Sequence, residues 1–160
     1  MNLCTFSSFA VAATLVVGCA QAQHVDVTTV LANGNCRTDE VGVSTIDYAA
    51  LAALQGTRLI GMTESEESAQ RPLHLVAIVP GEFPTPGYSI SLQDGAELTA
   101  GVLTLRIKTN RPPPDAMLAQ VITHPCLVVG IADPAVGRVK VLDEFAVALG
   151  EVDLSAPKQP

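Results

Sequence analysis

Much of the chain alternates apolar and polar residues with the two-residue period of a β-strand. In residues 88–93, Tyr, Ile and Leu occupy every second position, and Ser and Gln occupy the positions between them. Residues 103–108 and 138–141 alternate in the same way, and Asp94-Gly95 is typical of a hairpin turn. The pattern predicts antiparallel strands with one face in the core and the other half exposed.

Three other segments are largely apolar. Leu73–Val79 (LHLVAIV) has the pattern of a strand that is covered on each side. Met117–Thr123 and Leu127–Ile131 are also largely apolar, and His124-Pro125 separates them. A strand that buries both faces needs a covering layer on each of them, so the sequence predicts a mainly β domain, an antiparallel sheet or sandwich.

A single segment has helical periodicity. Ser44-Thr45-Ile46-Asp47 resembles a capping box, and apolar residues recur at helical spacing from Ile46 to Leu54. Gly56 supplies a helix stop. The predicted fold class is therefore mainly β with one short N-terminal helix at about residues 45–55.

The composition narrows the range of partners. The chain of 160 residues is long enough for one domain, and 48% of its residues are apolar, which argues against disorder over most of the length. Sixteen acidic residues against nine basic ones give a net charge of −7. Because phosphate neutralisation needs a Lys/Arg surface that this composition lacks, we predict no nucleic-acid partner.

Residues 1–22 have the features of an export signal. They contain no Asp, Glu, Lys or Arg, and the apolar segment Phe9–Gly18 is shorter than the about 20 residues that a membrane-spanning helix needs. Val16-Val17-Gly18-Cys19 resembles a lipobox, in which Cys19 is acylated. Ala20-Gln21-Ala22 resembles an ordinary signal-peptidase site, which would discard that cysteine.

The signal predicts location in the cell envelope. With lipidation at Cys19, the residue that follows is Ala20 rather than Asp, which favours an outer-membrane lipoprotein facing the periplasm or the surface. The predicted membrane contact is then made through the lipid anchor only. Cleavage after Ala22 would instead give a soluble periplasmic or secreted protein.

Export leaves two cysteines in the mature chain. Cys4 is removed with the signal, Cys19 is acylated or removed, and Cys36 and Cys126 remain. An oxidising compartment favours a disulfide between these two. Two buried thiols that lie too far apart to bridge are the alternative.

Few residues stand in patterns that support catalysis or metal binding. The sequence has no P-loop, GxGxxG, HExxH, GxSxG or CxxC motif. His124 and Cys126 would share one face of a continuous strand as a base and thiolate or as two metal ligands, and His24 and His74 are the other histidines available for a zinc site. We predict no catalytic residue, no metal and no cofactor.

The centre of the chain resembles a known family. Pro80–Leu92 (PGEFPTPGYSISL) precedes the predicted hairpin, whereas Arg111-Pro112-Pro113-Pro114 and Gln120–Val129 (QVITHPCLVV) follow it. This order of a G-Y-S-I strand, a hairpin, a strand, a proline-rich connection and a T-x-P strand is similar to the C-terminal domain of the PrcB family of protease-complex subunits. The resemblance covers about residues 75–142, and Cys126 stands where the family often has an aromatic residue.

The resemblance implies a lipoprotein that associates with and stabilises a secreted or envelope protease and has no catalysis of its own. The loop at residues 83–88 carries two of the four aromatic residues of the mature chain on a frame rich in Pro and Gly. Loops that carry aromatic residues are common contact sites, so Phe83, Gly87 and Tyr88 are predicted to bind the partner. In the alternative interpretation, Gly87 only permits a positive φ and Tyr88 only fills the core.

Four regions are predicted along the chain. Residues 1–22 form the signal, 23–72 an N-terminal segment with one helix packed on the domain, 73–150 the PrcB-like β domain, and 151–160 a flexible tail. Two other functions are the alternatives to a protease-associated subunit. They are a structural envelope lipoprotein without a stable partner, and a small periplasmic enzyme that uses His124 and Cys126.

Overall fold

The computed structural model describes residues 23–36, 38, 40–55, 72–93 and 95–154. Within these ranges the chain forms ten strands and one helix. The helix in these ranges is too short to cross a bilayer. In chain order the elements are β1 (Gln23–His24), β2 (Val27–Asn33), β3 (Gly42–Ile46), α1 (Tyr48–Gln55), β4 (His74–Val79), β5 (Ser89–Leu92), β6 (Glu97–Thr99), β7 (Val102–Asn110), β8 (Cys126–Ile131), β9 (Arg138–Leu142) and β10 (Ala148–Asp153).

The strands form two sheets, which confirms the mainly β fold class. The first sheet has the order β1-β6-β7-β9-β10, and β5 also pairs with β7. The second sheet has the order β2-β8-β4-β3, and all its pairs are antiparallel. In the first sheet β7 and β9 are parallel, because the chain leaves this sheet after β7, contributes β8 to the other sheet, and returns in the original direction.

The hydrophobic core lies between the two sheets. Leu103, Leu105 and Ile107 of β7 are at most 1% exposed, as their alternation with polar residues predicts. They pack with side chains from β4, β8 and β9 in one continuous cluster. Each Å² of apolar surface that is removed from water contributes about 25 cal/mol to the stability of the fold. This cluster is therefore the main source of stability.

β4 and β8 bury both of their faces, as the sequence predicts for β4. Their outer faces form a second cluster with Leu51 and Leu54 of α1. Cys36 and Cys126 lie in the same cluster and form a disulfide. Their Cα atoms are 5.8 Å apart. The helix and the disulfide therefore cover the outer face of the second sheet.

The single helix begins at Tyr48 rather than near residue 45. Thr45 and Ile46 belong to β3, where they pair with Val76 and Leu75 of β4. Asp47 is the helix cap, since its Oδ1 accepts a hydrogen bond of 2.7 Å from the Ala50 backbone N–H. Pairing with the neighbouring strand thus overrides the capping-box pattern that the sequence shows.

The predicted hairpin turn also lies elsewhere. The turn between β6 and β7 is Ala100-Gly101, whose φ angles are 50° and 79°. β5 and β6 pair with successive parts of the same strand β7, so the chain at Gln93 continues along that strand and donates a hydrogen bond of 2.8 Å to Arg106 O. Of the predicted Asp94-Gly95 turn, Asp94 lies outside the described residues, and Gly95 has a φ of 97°.

The segments before and after the central strands belong to the same fold. β2 and β3 come from the N-terminal segment and form both edges of the second sheet. β10 includes residues 151–153, which the sequence assigns to a flexible tail, and Leu154 is buried. The predicted signal at residues 1–22 and the end of the predicted tail at 155–160 lie outside the described residues.

Gly130 allows β8 to pack closely under its neighbours. A Cβ atom at this position would lie 2.6 Å from Pro72 Cγ and 3.1 Å from Val30 Cγ2. We expect Gly130→Ala to lower the free energy of unfolding by about 1–3 kcal/mol through overpacking, measured by urea denaturation. Gly137→Ala is the matched control, since its nearest neighbour would be 3.8 Å away, and equal effects of the two changes would contradict this prediction.

Candidate partner-binding surface

The register of the second sheet brings three connecting segments to one end of the sandwich. Val79 at the end of β4 pairs with Gly42 at the start of β3, and Asn33 at the end of β2 pairs with Cys126 at the start of β8. The described residues 34–36, 38, 40–41, 80–88 and 111–125 therefore connect strands at the same end of the sheet.

The first sheet adds a fourth segment to this end. Ser89 pairs with Asn110, and the carbonyl oxygen of Tyr88 lies 3.2 Å from where a Cβ of Gly34 would be. Because β9 runs parallel to β7, its last residue, Leu142, points to the same end. We name this surface the loop end; it consists of the described residues 34–36, 38, 40–41, 80–88, 111–125 and 143–147.

Two of these segments are bonded to each other. Phe83 and Thr123 exchange two backbone hydrogen bonds of 2.9 Å, and Thr123 Oγ1 donates a third, of 3.1 Å, to Thr85 O. A Cβ atom on Gly87 would lie 2.9 Å from Pro112 Cβ, so only glycine permits this approach. Thr123 is only 4% exposed. The 80–88 segment and the 111–125 segment therefore form one packed unit rather than two independent loops.

The three residues predicted to bind a partner lie in this unit. The rings of Phe83 and Tyr88 contact each other, with centroids 4.5 Å apart and planes tilted by 32°. Both side chains are half-buried, whereas Gly87 is exposed and has a φ of 95°. The ring contact and the glycine support the shape of the loop, and direct contact of these residues with a partner stays a prediction.

The residues considered for catalysis or metal binding do not converge. Cys126 Sγ is bonded to Cys36, so it is not a free thiol beside His124. His124 Nε2 lies 3.4 Å from Glu82 Oε1, and its backbone N–H donates to Asn35 Oδ1. His24 pairs with Glu97, and His74 pairs with Ile131 at the far end of β8. Both histidines therefore lie toward the opposite end of the sandwich. In the ranges described above, no group of three or more His, Cys, Asp or Glu residues is placed to hold a metal.

Exposed apolar side chains are concentrated at the loop end. Of the large hydrophobic residues that are exposed in the described part of the chain, only Tyr48 and Leu73 lie at the opposite end. Exposed apolar side chains that gather at one end of a domain are a candidate site of interaction with another molecule. The exposed residues of the loop end are Val41 (59%), Met117 (103%), Val121 (55%), Ile122 (60%), Phe145 (75%) and Val147 (59%).

The sequence pattern did not single out these side chains. The segment Met117–Thr123 is largely apolar, like the buried strand β8, but among the described residues its only strand-like pairing is the bridge between Phe83 and Thr123. The available signal is the preceding Pro112-Pro113-Pro114, because proline removes backbone donors and keeps the chain out of a central strand. An apolar run directly after such a segment is therefore a candidate for exposure.

Comparison with known proteins bears on the central part of this surface. Residues 74–132 match the PrcB C-terminal family. No curated protein and no solved structure matches the chain. The matched residues extend from β4 to β8 and include both segments that are bonded through Phe83 and Thr123, whereas 34–41 and 143–147 lie outside the match. The resemblance of the central motif to the PrcB family is thereby confirmed: residues 74–132 are similar to the PrcB C-terminal family.

Proposed function

We propose that this protein is an exported, lipid-anchored, non-enzymatic subunit that associates with and stabilises a secreted protease. The match to the PrcB C-terminal family supports association with a protease-related complex. The single observation that carries a binding role is the concentration of exposed apolar side chains at the loop end. A protein partner that covers these side chains would remove them from water and gain the free energy of their burial.

A binding role is favoured over the enzyme alternative by the bonds that His124 and Cys126 make. That alternative requires a free thiolate beside a histidine base. Cys126 is bonded to Cys36, and the backbone of His124 is bonded to Asn35 and Cys36 on the neighbouring segment. These contacts connect the loop end to the second sheet, which is a structural role.

The position of Gln23 supports presentation of the loop end away from an anchoring membrane. Gln23 pairs with Leu98, next to the Ala100-Gly101 turn, so the chain enters the fold at the end opposite to the loop end. Cys19 is four residues earlier in the sequence, a distance of at most about 14 Å in extended chain. Acylation of Cys19 would therefore hold the opposite end near the bilayer and leave the loop end free for a partner.

The proposal is tested by recovering the protein with its partners from the native envelope. A C-terminally tagged chain is crosslinked briefly, purified, and the bound proteins are identified by mass spectrometry. We expect one secreted protease in near-stoichiometric amount. Recovery of only abundant envelope proteins in low amounts would contradict the proposal and favour the structural lipoprotein.

A further inference from the structure

The hairpin between β9 and β10 holds its tip in a defined conformation. Asp143 Oδ1 accepts hydrogen bonds from the backbone N–H groups of Phe145 (2.9 Å) and Val147 (2.8 Å), and the Asp143 N–H donates to Val147 O (2.9 Å). Ala146 completes the turn with a φ of 63° and donates its N–H to Asp143 O at 3.1 Å. The tip therefore has an ordered backbone before any partner binds.

This ordered tip presents apolar side chains to solvent. Phe145 is 75% exposed and Val147 is 59% exposed. An aromatic side chain has few rotatable bonds, so one that is carried on a fixed turn loses little conformational entropy on binding. Aromatic residues of this kind often supply most of the free energy of a protein interface. Phe145 therefore has the properties of an anchoring side chain.

Acidic side chains outnumber basic ones in the segments of the loop end. The described residues of its four segments include five carboxylates and a single guanidinium group. Arg37 and Asp39, which have opposite charges, lie outside the described residues. The carboxylates are those of Glu40, Glu82, Asp115, Asp143 and Glu144, and the guanidinium is that of Arg111.

We propose that the loop end binds a protein partner through an apolar pocket that is bordered by Lys and Arg side chains, with Phe145 as the side chain that enters the pocket. The inference rests on the proposed function, because the partner is the protein that this subunit accompanies. Opposite charges around an apolar contact favour encounter and orientation of two proteins. Phe145 lies outside residues 74–132, so the match to the family does not point to it.

The same charges argue against two other occupants of this surface. An anionic bilayer surface repels carboxylates, so the excess of acidic side chains at the loop end opposes insertion of the tip among negatively charged lipids. A second copy of the chain would bring two acidic loop ends together, which costs free energy. A basic border on the partner is the arrangement that pairs these carboxylates with opposite charges.

Site-specific photocrosslinking of the full chain in its native envelope tests the proposal. p-Benzoylphenylalanine is placed at position 145, or at position 73 as the matched control, since Leu73 is 60% exposed at the opposite end. We expect one discrete crosslinked protein from position 145 and none from position 73. The crosslinked protein is then purified and its affinity for the chain is measured. Phe145→Ala should weaken binding about tenfold or more, Leu73→Ala should leave it unchanged, and high salt should weaken the wild-type complex further.

Each outcome decides between the proposals. A crosslink from position 145 to a second copy of the chain, binding of anionic phosphatidylglycerol vesicles that depends on Phe145, or an affinity that Phe145→Ala does not change would overturn the inference. If a protease is recovered but neither contacts position 145 nor depends on Phe145, the proposed function stands and the inference falls. If the protein bound at position 145 is not a protease and its binding depends on Phe145 and salt, the inference stands and the protease partner falls.

Discussion

Replacement of both Cys36 and Cys126 by Ala should lower the free energy of unfolding by about 4 kcal/mol. The disulfide closes a loop with a sequence separation of 90, so its removal returns conformational freedom to the unfolded chain. The bond also links Cys126, the first residue of β8, to Cys36 in the segment that follows β2. Both cysteines pack in one cluster with α1. Because domains are stable by only about 5–15 kcal/mol, we expect a large shift in the midpoint of urea unfolding, followed by circular dichroism.

Reduction of the wild-type chain provides the control for this prediction. Dithiothreitol added during unfolding should move the wild-type midpoint close to that of the double variant. It should leave the midpoint of the double variant unchanged, since that protein has no bond to reduce. A wild-type midpoint that does not respond to the reductant would show that the pair of cysteines is not a stabilising bond.

Introduction of Asp at both Met117 and Ile122 should reduce the amount of co-purified partner about tenfold or more. Both side chains are exposed at the loop end, at 103% and 60%. A carboxylate that is buried at an apolar interface without a partner charge is costly, so the complex should be lost while the fold is kept. Quantitative mass spectrometry of the purified complex measures the effect, and the urea midpoint shows that the domain is intact.

Leu73→Asp is the matched control for the loop-end variant. Leu73 is as exposed as Ile122, but it precedes β4 at the opposite end of the sandwich. This variant should retain the partner in wild-type amount. Equal loss of the partner in both variants, or full retention in the loop-end variant, would show that the loop end is not the binding surface.

The sequence predicts strands best where burial follows a simple period. Leu103, Leu105 and Ile107 alternate with polar residues and are buried on one face, and β4 and β8 are largely apolar and buried on both. The strand pairing was harder to predict, because period two identifies a strand but not its neighbour. The parallel pairing of β7 with β9 depends on the path of residues 111–137 through the other sheet.

The candidate binding surface was predicted only in part. Phe83 and Tyr88 stood out because they are aromatic residues in a loop rich in Pro and Gly, and the structure places both within the loop end. Their rings contact each other and are half-buried, whereas Met117, Ile122 and Phe145 are exposed. Exposure of an apolar residue depends on which distant segments cover it, so a local pattern does not report it.

By itself, the sequence determined the mainly β class, the single helix, the apolar strands and the resemblance of the central motif to the PrcB family, because these depend on local periodicity and on the order of short motifs. The tertiary structure decided which strands pair, where the helix and the hairpin turn begin, and that Cys36 lies close enough to Cys126 to bond with it. It also decided that four segments, separated along the chain, lie at the same end of the sandwich and leave apolar side chains exposed there. These features depend on contacts between residues far apart in sequence, which only the complete packing of the two sheets specifies.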